Sequence, residues 1–337
     1  MRRSMLNWFL AFGAALFVVA LQTTDAATPP ELVSVKKIWD QGPHNAFTDL
    51  IRFQDRWFCT FREATDHVGG DGQSRVLVSD DGENWQSAAL LSESGIDLRD
   101  PKLSITKEGQ LMMVMGGSVY RGGKKLLGRQ PRVAFSHDGK NWSAPERVLA
   151  EGDWLWRVTW HDGRAYGVSY TAPAGEAKTA ERELKLYVSD DGRTFEKLAD
   201  LEVTGRPNET TVRFLENGEC LALVRRELGD QQGWIGVSRA PYRTWQWKPC
   251  GHRLGGPNFI QLPNQQLWAA GRSYPGGSKT ILARLTPETY EPQLTLPSGG
   301  DNSYPGLVWH EGLLWMSYYS SHEGKTSIYQ AKIRLPE

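Results

Sequence analysis

Asp100, Glu209 and Tyr304 lie far apart in the chain, yet each stands three residues ahead of the same local pattern: an apolar run, a polar turn and a second apolar run. Arg62, Arg225 and Arg272 stand twelve or thirteen residues after the start of that pattern in its own copies. A carboxylic acid, a second carboxylate and a phenol are the groups that cleavage of a glycosidic bond uses: a proton donor for the leaving oxygen, a base and a nucleophile. Tyrosine has an ordinary pKa of about 10, so a nucleophilic tyrosine needs a base, and Glu209 is the candidate. Planar guanidinium groups bind carboxylate or sulfate bidentately, so three arginines on the same rim would suit an acidic sugar.

The elements that must position these residues are repeated. The pattern begins at Leu50, Leu103, Val158, Val212, Phe259 and Leu307, a spacing of 47 to 55 residues. Six copies built from short apolar runs predict an all-β, six-bladed β-propeller with one four-stranded antiparallel blade per copy. With the first strand of each blade lining the channel, the start of that strand and the end of the second share one face near the axis. The first strand, Leu32–Ile38, and the last, Ser327–Ile333, are left over, and pairing them in one blade would close the ring.

Each of the first three copies is followed by a recurring turn: Ser79-Asp80-Asp81-Gly82-Glu83-Asn84-Trp85, Ser136-His137-Asp138-Gly139-Lys140-Asn141-Trp142 and Ser189-Asp190-Asp191-Gly192-Arg193-Thr194-Phe195. Asp accepts backbone N–H bonds across the turn, Gly supplies positive φ and the aromatic ring packs beneath, so the motif is a staple rather than a reaction site. A fourth copy, Ser238 to Trp245, has lost the aspartate.

Composition narrows the function. The 39 acidic and 39 basic residues balance, which argues against a nucleic-acid partner. Three cysteines, Cys59, Cys220 and Cys250, imply no disulfide framework, and no paired Cys or His spacing predicts a structural zinc site, so neither cofactor nor metal is expected. Fourteen tryptophans are read chiefly as core packing. Arg2 and Arg3 precede an apolar stretch from Trp8 to Leu21 and small residues at Ala26 and Ala27, so residues 1–27 read as a signal peptide and 28–337 as the propeller. A secreted or periplasmic monomer is expected, in contact with a membrane only if that segment stays uncleaved as an anchor.

The turns resemble the Asp-box repeats of sialidases, and the resemblance extends in repeat order over the mature chain. Asp100-Pro101 is similar to the sialidase segment with the acid/base aspartate, Asn208-Glu209-Thr210-Thr211 with Arg225 to the segment with a buried glutamate and a carboxylate-binding arginine, and Ser303-Tyr304-Pro305-Gly306 to that with the nucleophilic tyrosine. Arg62 with Asp66, His67 and Asp71 resembles the arginine and acidic loop before the first Asp box. The resemblance implies a retaining exo-glycoside hydrolase with Tyr304 as nucleophile, Glu209 as its base and Asp100 as acid/base. Arg62, Arg225, Arg272, Asp66, His67 and Asp71 would bind a glycan substrate. The first blade departs from the family: it reads Asn45-Ala46-Phe47-Thr48-Asp49, where sialidases of this type carry Phe-Arg-Ile-Pro. Two other readings follow, a same-scaffold glycosidase for another sugar, uronic or sulfated, and a non-catalytic carbohydrate-binding propeller.

Overall fold

A computed structural model describes residues 28–336 apart from residue 123; residues 1–27, read from the sequence as a signal peptide, lie outside the described residues. The N-terminal strand is β1 (Glu31–Trp39). Blade 1 is β2 (His44–Phe53), β3 (Arg56–Ala64), β4 (Gln73–Ser79) and β5 (Gln86–Leu91). Blade 2 is β6 (Asp97–Ile105), β7 (Leu111–Arg121), β8 (Lys125–Ser136) and β9 (Glu146–Arg147). Blade 3 is β10 (Asp153–His161), β11 (Arg164–Thr171), β12 (Leu184–Ser189) and β13 (Glu196–Leu201). Blade 4 is β14 (Pro207–Phe214), β15 (Glu219–Arg226), β16 (Gln232–Arg239) and β17 (Gln246–Arg253). Blade 5 is β18 (Asn258–Gln261), β19 (Leu267–Ser273), β20 (Lys279–Leu285) and β21 (Tyr290–Thr295), and blade 6 holds β22 (Asn302–His310), β23 (Leu313–Ser320) and β24 (Ser327–Arg334).

The protein is a six-bladed propeller of four-stranded antiparallel blades. The anchors sit in the first strand of each blade, and these strands neighbour one another around the axis. Burial falls from the axis outward: β2 and β6 are buried along most of their length, whereas β5, β17 and β21 are largely exposed or half-buried. Strands packed on both faces explain why the anchor runs are continuously apolar. Blade 6 is completed on its outer edge by β1, in antiparallel register with β24 from Glu31↔Arg334 to Trp39↔Ile328. Trp57 of blade 1 packs against Trp315 of blade 6 with ring centroids 4.3 Å apart, where the first and last blades meet. Deleting β24 would expose β23 and leave β1 without a partner. A chain ending before Ser327 is therefore expected to be insoluble or to lose its cooperative thermal transition, as monitored by circular dichroism.

The recurring turns are built as staples. Asp81 Oδ1 accepts the N–H groups of Glu83 and Asn84, both at 2.8 Å, Ser79 Oγ accepts that of Gly82 at 2.9 Å, and Trp85 Nε1 donates to the Gly82 carbonyl at 3.1 Å. Asp138 and Asp191 repeat the pattern. These hydrogen bonds hold the Asp81 and Asp138 carboxyls well below the usual carboxylate range. Cys59, Cys220 and Cys250 are buried free thiols.

Candidate active site

The three-residue step back from each anchor marks a break in strand pairing. The ladder shifts between Ala46 and Asp49, Arg99 and Lys102, Pro207 and Thr210, and Ser303 and Gly306, so Phe47, Asp100, Glu209 and Tyr304 all lie in bulges. A bulge re-aims side chains that strict alternation would send into the sheet face. Phe47, Asp100 and Tyr304 take left-handed φ of 65°, 49° and 53°. Non-glycine residues in that region store strain, which the surrounding ring sustains.

Asp100, Glu209 and Tyr304 come together on one cavity of about 190 Å³, with Phe47, His67, Arg99, Ser118, Tyr120, Arg129, Trp154 and Tyr170 also on its wall. This is smaller than the roughly 300–1,000 Å³ of sites for drug-sized ligands, and suits a single sugar ring. Tyr304 Oη donates to Glu209 Oε1 at 2.5 Å. The other carboxylate oxygen of Glu209 accepts from Arg225 Nη1 at 2.7 Å and from the Gly256 N–H at 2.8 Å. Arg225 Nη1 also reaches Tyr304 Oη at 3.1 Å. Gly256 is the blade-5 counterpart of these bulge residues; its φ is 58°, and a Cβ there would meet the Tyr304 ring at 2.7 Å. Only glycine lets the backbone donate to Glu209 while the phenol ring packs against it.

The electrostatics separate the three groups. Burial alone would raise the Glu209 pKa, but Arg225 and the bonds from Tyr304 and Gly256 outweigh it and hold the carboxyl below its ordinary value. Burial pushes the Tyr304 phenol well above its ordinary value, and the Glu209 charge adds to the shift. Burial also raises Asp100, against the opposing pull of Arg99 and Lys102, and Asp100 Oδ1 has no hydrogen-bond partner. The Glu209 carboxyl is thus held toward its ionised form and the Asp100 carboxyl toward its protonated form. Lys102, 1 % exposed, lies beneath them; its Nζ donates to the carbonyls of Phe47 and Thr48 at 3.2 and 3.1 Å and faces the Tyr304 ring at 5.9 Å.

The arginines depart from the sequence expectation. Arg62 does not line the cavity: it is 0 % exposed and grips Asp97 bidentately, Nε to Oδ1 at 2.7 Å and Nη2 to Oδ2 at 3.0 Å. Near the end of β3 its side chain turns into the seam between blades 1 and 2, so it is a structural ion pair. Arg272 stacks 5.5 Å from the Tyr304 ring, but its Nε and Nη2 are held by the Asn302 carbonyl and its Nη2 by Tyr319 Oη. Arg225 is engaged by Glu209 and Glu227. Of the three arginines, Arg225 and Arg272 therefore lie beside Tyr304, whereas Arg62 is committed to Asp97. Asp66 is a solvent-exposed partner of Lys124, and Asp71 caps the Thr65 N–H in the same loop; neither is on the cavity wall. Removing one member of a buried pair costs about 3–5 kcal/mol. Arg62→Met is expected to fall near the lower end, since Arg99 still contacts Asp97 at 3.3 Å, and a urea melt measures it.

His67 is on the wall, and Asp301 Oδ2 anchors its Nδ1 at 2.6 Å and His44 Nε2 at 3.1 Å. The ligand-capable atoms of His44, His67 and Asp301 lie within 4.8 Å of one another, a set able to hold a divalent ion only by giving up these hydrogen bonds. Sequence spacing gave no sign of this cluster. Arg99 and Arg129 were also missed as wall residues. Arg99 adjoins Asp100 within the same bulge, which was a usable signal; Arg129 lies on β8, outside the repeat offsets.

No protein-family model matches the chain, and no curated protein does. Among solved structures, a protein of unknown function from Dyadobacter fermentans matches at 21% identity, over 91% of this chain and 99% of that one, with a TM-score of 0.80. A Trypanosoma rangeli sialidase in complex with sialic acid matches at 13% identity over 92% of this chain and 59% of its own, with a TM-score of 0.68. The GH93 α-L-arabinofuranosidase of Fusarium graminearum, solved with arabinobiose, matches at 15% identity over 90% and 98%, also at 0.68. The chain shares its six-bladed propeller fold with these glycosidases.

Proposed function

We propose that the protein is an exo-acting, retaining glycoside hydrolase with Tyr304 as nucleophile. The observation that carries this reading is the 2.5 Å hydrogen bond from Tyr304 to an arginine-held Glu209, in a cavity that also contains an acid-tuned Asp100. In the first step Tyr304 Oη bonds to the anomeric carbon as its proton passes to Glu209. Asp100 protonates the glycosidic oxygen and the aglycone alcohol leaves. In the second, the Asp100 carboxylate takes a proton from water, the resulting hydroxide equivalent bonds to the anomeric carbon, and the bond to Tyr304 breaks as Glu209 returns the proton. The sum is addition of one water across the glycosidic bond.

Phe47 in the first blade and the burial of Arg62 against Asp97 favour a terminal sugar other than sialic acid. The basic-then-apolar residues 1–27 support export, which places the substrate among extracellular or periplasmic glycans. A panel of 4-nitrophenyl and methylumbelliferyl glycosides, including sialosides, uronides and arabinofuranosides, tests the reading, with reaction stereochemistry followed by NMR. Retention of anomeric configuration on a cleaved member is the expected result. Inversion would remove the tyrosine nucleophile. Inactivity on the whole panel together with glycan-array binding would favour a binding propeller.

A further inference from the structure

Arg129 stands out among the charged side chains of the cavity wall. Its guanidinium makes no hydrogen bond or ion pair with any described residue, and its Nε is buried without a partner. It lies 5.2 Å over the Trp154 ring, which fixes its plane without neutralising it. Arg182, the nearby cation over Tyr170, is by contrast bound to Glu176 at 2.8 Å. Opposite Arg129 in the β7–β8 ladder is Ser118, 1 % exposed, whose Oγ also has no partner. Arg99, on the same wall, donates to the His67 carbonyl and Asp97 from Nη1 alone, leaving Nε and Nη2 without a protein acceptor among the described residues.

Unpaired buried donors are costly, and a buried cation more so. Arg62 and Arg99 share the carboxylate of Asp97, and Asp100 also faces Arg99, whereas Arg129 has no carboxylate partner among the described residues. Glu209 does not offset them, because Arg225 already does. Burial and the neighbouring Arg182 and Arg99 press the Arg129 pKa downward, which an anionic ligand would relieve.

We propose that Arg129, with Ser118 and Arg99, forms an anion subsite in blade 2 that selects a terminal sugar carrying a carboxylate or sulfate group. The proposal deepens the reading of this cavity as a sugar site and rests on it. It moves the acid-binding role from the arginines around Tyr304 to the opposite side of the cavity, beside the proposed acid Asp100. A guanidinium fork and a hydroxyl together supply the planar, multi-donor contact that either oxyanion accepts.

Calorimetric titration of the mature chain tests it, using glucuronate, galacturonate, glucose 6-sulfate and galactose 6-sulfate against neutral glucose and galactose. At least one anionic sugar is expected to bind ten-fold or more tightly than its neutral parent. A preference confined to the uronates assigns a carboxylate, one confined to the sulfated sugars a sulfate. Arg129→Gln should abolish the preference and Arg129→Lys should retain part of it, with thermal melts confirming that both variants fold. Equal binding of charged and neutral sugars, no binding of either, or a preference unchanged in Arg129→Gln would overturn the subsite. Its failure is separable from that of the hydrolase reading: cleavage of neutral glycosides without anionic preference removes only the subsite. Anionic preference without turnover of the matching nitrophenyl glycosides removes only the hydrolase.

Discussion

Replacing Tyr304 with phenylalanine is expected to lower kcat/KM on every glycoside the protein cleaves by about 10³-fold or more, with little change in thermal stability. The nucleophile is the only atom removed, and loss of a covalent nucleophile typically costs several orders of magnitude. Phenylalanine keeps the ring that packs against Phe47 at 5.1 Å and over Gly256, and it takes the same backbone. Glu209 keeps Arg225 and the Gly256 N–H, so its charge stays compensated. In the proposed mechanism Tyr304 and Glu209 act as one proton-sharing pair, so Glu209→Gln should show a comparable loss, and the double variant should be scarcely worse than either single one. The Glu209 carboxyl is depressed, so the base is ionised throughout neutral pH and is lost only as pH falls through its lowered folded pKa. Wild-type kcat/KM should therefore show an acid limb at a pH below the ordinary glutamate value. A Tyr304→Phe variant retaining a tenth of wild-type activity would exclude covalent catalysis at this residue.

The legible part of the site is the part the bulges fix. A six-fold repeat imposes one geometry on the start of every inner strand, so laying the copies over one another finds Asp100, Glu209 and Tyr304 without any knowledge of their contacts. Gly256 and Phe47 occupy the same slots for complementary reasons: one yields room and an N–H to the Tyr304–Glu209 pair, the other packs the flank. The second strands are less legible. Their ends alternate between faces, and an offset that varies between twelve and thirteen residues cannot say which face a side chain takes. Arg225 turns to Glu209, while Arg62 turns into the blade seam, where Gly72 leaves just enough room for its bond to Asp97. Arg129 and the His44–His67–Asp301 cluster depend on where separate blades and loops meet, which no local spacing encodes.

Asp100→Asn is the substitution that should separate the two chemical steps. Asparagine tolerates the left-handed backbone at φ 49°, whereas alanine there would add roughly 1–2 kcal/mol of strain and blur the result. The amide cannot donate a proton to the leaving oxygen, a contribution of about 10²–10⁴-fold. Alkyl glycosides, whose alcohols leave poorly without protonation, should suffer the full loss. Dinitrophenyl glycosides, whose phenolate leaves unaided, should still glycosylate Tyr304 and release one equivalent of phenol in a burst. The slow second step then reflects the missing base, and azide, an anion that attacks without deprotonation, should restore turnover and yield a glycosyl azide of retained configuration. The sign of the pH dependence follows from burial: the Asp100 pKa is raised, so the acid stays protonated above the ordinary carboxylate value, and wild-type activity falls as pH rises through that raised pKa. This alkaline limb should vanish from the burst rate of Asp100→Asn on the activated substrate. If the variant instead hydrolyses alkyl glycosides at the wild-type rate, the acid lies elsewhere on the cavity wall, and His67, Tyr120 and Tyr170 are then the proton donors to replace.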